Sequence, residues 1–187
     1  MSKMKISNNA FVYPMPMVLV GVEVDGKANF MPVGWVSRVN NNPPMVLVAL
    51  GKRHHTNKGI KEHQVYSVNI PSIDLMAKTD YCGLVSGEKI DKANVFTVFT
   101  GDLVKAPMIK ECPISMECRV VKIVELETNE LFIAEIVNAY SEEQYLENNK
   151  PDINKINPFV LTMPDNNYWS VGNNLGKAWS LGRKLQE

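Results

Sequence analysis

The sequence predicts a mainly β protein with short helices, built as an antiparallel barrel or sandwich. Strand-like runs fill its first two-thirds, an Asp-Gly turn joins two of them, and the helical signals are few and short. Helices do not alternate with strands and no G-x-G-x-x-G is present, which argues against a doubly wound parallel sheet.

Met17 to Val24 is valine-rich and ends at Asp25-Gly26, a pair whose tolerance of positive φ marks a hairpin. Lys27 to Val36 is the returning strand. Pro43-Pro44 introduces Met45 to Leu50, an apolar run short enough for a buried strand, and Val65 to Ile70 is another. In Ile114 to Leu126 the apolar phase runs through Ile114, Met116, Cys118 and Val120, then slips by one residue to Val121 and Ile123. A phase slip inside a strand predicts a β-bulge, which helps a sheet curl. The turn Glu127 to Glu130 leads into Leu131 to Tyr140 as the antiparallel partner, and Phe159 to Met163 is a last short strand. Thr56 is placed to cap a helix to about His63, Ser72 one to about Tyr81, and Ser141 with Gln144 matches a capping box. Asn148 to Pro158 reads as a loop, and Asn166 to Arg183 as no autonomous element.

The chain has 187 residues, which suits one domain over 1–187, large enough for a single core. Twenty Lys and Arg balance twenty Asp and Glu, so no excess cation supports general nucleic-acid or membrane-surface binding. Three cysteines at irregular spacing read as free thiols in a reducing cytoplasm. No apolar run is long enough for a membrane span, and the N-terminal segment lacks a signal-peptide layout.

The most informative cluster is Arg53-His54-His55-Thr56-Asn57-Lys58, which follows a strand and opens a helix. Helix N-termini present free N–H groups and a partial positive charge, so a phosphate fits here; a capped surface helix with solvated charges fits as well. Asp80 to Lys92 contains Gly83, Ser86, Gly87 and Lys92 and is suited to wrap a polar ligand or to be an ordinary loop. Gly34 in Asn29 to Arg38 either lets a flat ring approach the backbone or marks a barrel corner. His54, His55 and His63 do not form a metal site, and no nucleophile–base pair is visible.

Several segments together resemble the flavin reductase-like, FMN-binding split-barrel family. They are Tyr13-Pro14-Met15-Pro16, Asn29 with Pro32-Val33-Gly34-Trp35-Val36-Ser37, Pro43-Pro44, Arg53 with His55-Thr56 and Ile60, and Val68-Asn69-Ile70-Pro71. Cys82-Gly83, Ser86-Gly87, Asp91-Lys92, Ala106-Pro107 with Ile109, Glu117-Cys118 and Gly172 continue the series.

The resemblance implies a six-stranded antiparallel split barrel with its core at about 13–163. It implies a homodimer with the tail, 164–187, packed at the interface, and one non-covalent FMN per subunit. By the same likeness Val33, Gly34, Trp35, Val36, Ser37 and Arg38 flank the isoalloxazine, with backbone N–H groups near Val36 and Ser37 on its N5 and pyrimidine edge. Arg38 or Lys92 would stabilise the reduced, anionic ring. Leu50, Gly51, Arg53, His54, His55 and Thr56 would hold ribityl and phosphate. Asn69, Cys82, Gly83, Ser86, Gly87 and Lys92 would close the pocket, and Tyr168 and Trp169 would reach in from the partner subunit.

The activity implied is electron or hydride transfer through FMN. One rival is an NAD(P)H-dependent flavin reductase that releases flavin as substrate; another is a flavin-binding barrel without turnover. NAD(P)H and a ferredoxin-type protein are both open as redox partners. Asn94-Val95-Phe96-Thr97 is shorter than the segment many relatives carry after Asp-Lys, which leaves the pocket rim and the donor open.

Overall fold

The computed structural model describes residues 2–185, so Gln186 and Glu187 of the expected tail lie outside the described residues. After β1 (Met15–Pro16), β2 (Val18–Val24) and β3 (Lys27–Val33) form the expected hairpin. Asp25 and Gly26 both have positive φ, 51° and 76°, as a tight primed turn requires. Next come β4 (Val36–Asn40), β5 (Met45–Gly51), α1 (His55–His63) and β6 (Val65–Ile70). A 3₁₀ turn at Ile73–Leu75 runs into α2 (Met76–Leu84), and β7 (Val98–Phe99) pairs with β8 (Met108–Ile109). The long hairpin β9 (Ile114–Glu125) and β10 (Asn129–Ser141) follows. The C-terminal part holds β11 (Leu146–Glu147), β12 (Lys150–Pro151), the one-turn α3 (Ile153–Ile156), β13 (Phe159–Thr162) and β14 (Asn167–Ser170).

The main sheet has the order β3-β2-β6-β9-β10-β5-β4, and every pairing in it is antiparallel. Its outermost strands, β3 and β4, are consecutive in the chain and separated only by Gly34 and Trp35. Three peptide steps reach about 11 Å at most, so the sheet must curl until the end of β3 comes close to the start of β4. The main sheet has seven strands where six were expected, and β4 (Val36–Asn40) lies almost wholly beyond the expected run Lys27 to Val36. The bulge falls where the phase slip placed it: Ile133 faces Lys122 and Ala134 faces Val120, leaving Val121 unpaired.

Two apolar layers form. Inside the rolled sheet, Val20, Val22, Val48, Leu50, Tyr66, Cys118 and Phe132 pack together. On its outer side, Leu19 and Phe30 meet Leu75, Cys82, Phe96 and Ile109. β2 therefore has both faces covered, which explains its unbroken apolar run. The three cysteines are free and buried within these layers.

Local helix signals need four corrections. His54, not Thr56, is the N-cap of α1, and no side chain caps it. Ser72 precedes the 3₁₀ turn without a side-chain capping bond, and the helical stretch runs on to Leu84. The Ser141 hydroxyl donates to the Pro113 carbonyl instead of forming a capping box. Asn148 to Pro158 contains β12 and α3, and Asn167 to Ser170 of the tail is a strand on β13.

α1 lies against β2 through Gly59, where a Cβ would overlap the Glu23 carbonyl oxygen and crowd Val24 Cγ2 at 2.9 Å. Alanine favours an exposed helix by about 1 kcal/mol over glycine, but overpacking costs roughly 1–3 kcal/mol. Gly59→Ala is therefore expected to lower the denaturant midpoint, and a midpoint at or above wild type would show that α1 is free to shift off the sheet.

Candidate functional site

A cavity of about 710 Å³ lies along the length of β3, between β5, the N-terminus of α1 and the end of α2 with its following loop. Strand pleating decides which residues reach it. In β5, Ala49 and Gly51 line the cavity while Leu50, between them, is buried in the core. Asn129 enters opposite Gly51, its cross-strand partner, and Met163 enters from the end of β13.

The wall is divided by polarity. Met31, Pro32, Val33, Gly34, Trp35 and Met163 supply a mostly apolar stretch, with Trp35 half exposed and in contact with the Phe11 ring at 6.4 Å between centroids. Five residues back along β3 from Gly34, roughly 17 Å at strand rise, is Asn29. There Thr56, His55 and Lys92 gather around Asn29, with His54 close enough to feel the Lys92 charge, and Arg53 also lines the cavity. No Asp or Glu lines the cavity among the described residues.

Lys92 is the most unusual member. It is only 5% exposed, and its ammonium donates to the Cys82 carbonyl at 2.7 Å with no carboxylate partner among the described residues. Burial pushes its pKa down, with the nearby Cys82 thiol opposing. Burial also lowers His54, and the Lys92 charge adds to this. A buried cation without a counter-charge is costly unless an anion joins it. Burial raises the Cys82 thiol, while Lys92 works the other way, so Cys82 stays a neutral wall group.

Asn29 and Gly87 hold this end together. Asn29 Nδ2 donates to the Thr56 hydroxyl at 2.9 Å, and its buried Oδ1 has no partner. A Cβ on Gly87 would overlap that oxygen and meet His55 Cδ2 at 3.4 Å, so only glycine lets the loop close here. Behind the turn, Asn57 Nδ2 donates to the Gly51 carbonyl at 3.2 Å and to Glu130 at 2.8 Å, and Lys61 pairs with the same carboxylate.

Of the residues expected at the site, the cavity brings together Val33, Gly34, Trp35, Gly51, Arg53, His54, His55, Thr56, Cys82, Gly83, Ser86, Gly87 and Lys92. Seven lie elsewhere in the single chain, among them Trp169, whose indole N–H donates to the Thr162 hydroxyl. Val36 packs against the core, and Leu50 points into it by strand alternation. Ser37 donates to the Arg38 carbonyl, and Arg38 turns back onto the carbonyls of Asn40 and Asn41, because β4 leads away from the cavity. Asn69 is fully committed: Nδ2 donates to Leu19 and Ser67, and Oδ1 accepts from Ile109 N–H and the Ser115 hydroxyl. Tyr168 donates to Asp80 at 2.9 Å and stacks edge-on against Phe159, which seats β14 on α2. The expectation missed Asn29 as a wall residue, together with Ala49, Asn129 and Met163. Ala49 was signalled by its period-2 relation to Gly51; Asn129 and Met163 carry no local signal.

Burial alone would raise the Glu130 carboxyl, but hydrogen bonds from Lys61 and Asn57 outweigh it and hold it below the ordinary value of 4.5. Its contribution to stability is therefore present above about that pH and is lost as pH falls through the lowered folded-state value. Glu130→Gln should be less stable than wild type near neutrality, with the gap narrowing in acid. Denaturant midpoints from neutral pH down to about pH 3 check this, and a pH-independent gap would contradict it.

The chain matches the family model described as a flavin reductase like domain over residues 10–163. It is 57% identical to flavoredoxin from Methanosarcina acetivorans, with a TM-score of 0.97 over 99% of this chain and 100% of that one. Flavoredoxin of Desulfovibrio vulgaris (Miyazaki F) is 34% identical, with a TM-score of 0.86 over 96% and 100% of the two chains. An FMN-binding protein from Thermus thermophilus, 18% identical over 95% of this chain and 97% of that one, shares the fold at a TM-score of 0.81. The rolled antiparallel sheet and the match across most of its length show that this chain belongs to the flavin reductase-like family.

Proposed function

We propose that the protein is a flavoredoxin-like flavoprotein that holds one FMN per subunit non-covalently in the 710 Å³ cavity and passes electrons through it. The observation that carries this reading is the cavity's division into an apolar stretch and a cationic end without acidic residues, among the described residues. The volume suits a ligand of this size, and the apolar stretch suits a flat ring.

The residues fit the group. Its phosphate would be held by Lys92, Arg53 and the free N–H groups of α1, whose N-terminus no side chain caps. The Lys92 ammonium has N–H bonds left after its one contact to Cys82, so a phosphate supplies the missing counter-charge. The thirteen expected residues that line the cavity, with Asn29, Ala49, Asn129 and Met163, form this binding site. Gly34 would meet the ring through its backbone, since a Cβ there points away from the cavity toward Met15, Met17 and Leu161, and Trp35 lines the same end. FMN, when bound, supplies the one- and two-electron chemistry; the protein binds, orients and electrostatically tunes it. No acid–base pair in the wall is required for that role.

The tail gives the reading a second subunit. Leu175 and Trp179 are almost fully exposed, and Val12 is likewise bare at the other end of the chain. Apolar side chains left in water in this way suit a homodimer interface. No helix among the described residues is long and apolar enough to cross a membrane. NAD(P)H and a ferredoxin-type protein are the donors to compare, and release of flavin during turnover would favour the flavin reductase reading.

Purified protein should carry visible flavin absorption that survives gel filtration; a colourless protein that ignores added FMN would overturn the proposal. Lys92→Met should weaken FMN by roughly 10- to 100-fold, the worth of a charge-assisted contact, while leaving riboflavin, which lacks the phosphate, nearly unchanged. Fluorescence quenching titrations with both flavins separate the two effects.

A further inference from the structure

Asn29 is the third residue of β3, opposite Val22 of β2, and it is 4% exposed. Two contacts hold its amide. Nδ2 donates to the Thr56 hydroxyl at 2.9 Å. Oδ1 lies against Gly87, where a Cβ would overlap it, and accepts no hydrogen bond. The β2–β3 ladder fixes the backbone at Asn29 while Gly87 closes on the side chain, so the amide is presented to Thr56 in one place.

Thr56 is 2% exposed, sits in the first turn of α1 and lines the cavity. A hydroxyl offers one proton and two lone pairs. The Asn29 amide occupies one lone pair, so the Thr56 proton turns elsewhere, and no acceptor receives it among the described residues. A buried donor left unmet is costly, which makes a ligand oxygen at this end of the cavity its natural acceptor. The surrounding groups are donors as well: the Lys92 ammonium has N–H bonds beyond its contact to Cys82, and α1 begins without a side-chain cap.

Resting on the FMN reading above, we infer that Asn29 is a positioning residue whose amide leaves the Thr56 hydroxyl free to donate to the bound phosphate. Asn29 needs no contact of its own with the flavin for this. The direction of the bond is what matters. An amide nitrogen can only donate, which keeps the Thr56 proton for the ligand; a carboxylate in its place can only accept and would draw that proton inward. Fixing the hydroxyl before the ligand arrives also reduces the orientational freedom that binding must remove.

The test is a double-mutant cycle on flavin-free full-length protein, read by fluorescence quenching as the ratio of FMN to riboflavin affinity, so that changes in ring binding cancel. Thr56→Val, of the same shape without the hydroxyl, should lower the ratio roughly tenfold or more. Asn29→Asp should lower it more in wild type than in the Thr56→Val background, by about the factor that Thr56→Val itself costs, because repulsion from the new carboxylate acts in both backgrounds. Asn29→Ala removes the donor without adding charge and serves if Asn29→Asp does not fold. It should lower the ratio several-fold alone and by no more than about twofold in the Thr56→Val background. Equal effects of the Asn29 substitutions in the two backgrounds overturn the inference and leave the FMN reading standing. A wild type that binds neither flavin instead removes the FMN reading on which the inference rests.

Discussion

The two edges of a seven-stranded sheet are joined by Gly34 and Trp35 alone, and most of the architecture follows from that tether. A flat sheet would hold β3 and β4 six strand spacings apart, roughly 28 Å, which two linking residues cannot span. Rolling the sheet brings them together and encloses the apolar faces of β2, β5, β6, β9 and β10 in one core. The bulge at Val121 supplies part of the curvature. The same bend carries the Asn29, Met31 and Val33 side of β3 past the end of β5, and the cavity lies in the angle between them.

Within that frame the cationic end is assembled from four separate stretches: β3, the α1 N-terminus, α2 with its loop, and Lys92. Each is held by contacts away from the cavity. Gly59 seats α1 on β2, Asn57 and Glu130 hold the Gly51 turn, and Asn69 ties the Ile109 segment to β2 and β9. These polar residues are buried because they are fully or largely bonded, and their cost is offset by the backbone groups they satisfy. Lys92 is the exception: its charge is buried beside the cavity with a carbonyl as its one partner. An anion placed beside it would supply the missing counter-charge, which a neutral group cannot.

Several site residues were legible from local pattern. The RHHT run reads as a strand-to-helix junction, and Gly34 as a bend or close approach; the structure puts both on the cavity. Other residues expected at the site lie outside the cavity of the single chain, for physical reasons. The family likeness places Arg38 beside the ring, yet in the single chain β4 leads away and its guanidinium donates to the Asn40 and Asn41 carbonyls. Asn69 lies in a segment shared with the family, but its amide is consumed by four bonds in the packing. Thr56 looks like a cap, yet Asn29, 27 residues earlier, takes its hydroxyl.

From residue order alone came the β-rich class, the Asp25–Gly26 hairpin, the bulge at Val121 and the strand-to-helix junction at Arg53 to Thr56. These are local properties, set by turn conformations, side-chain alternation and helix-end electrostatics acting over a few residues. Tertiary structure alone decided that β3 and β4 meet, that Asn129 and Met163 reach the cavity, and that Lys92 is buried there without a carboxylate. Those outcomes depend on which distant segments come into contact, and a pairing between residues tens of positions apart leaves no periodicity in the sequence from which it can be read.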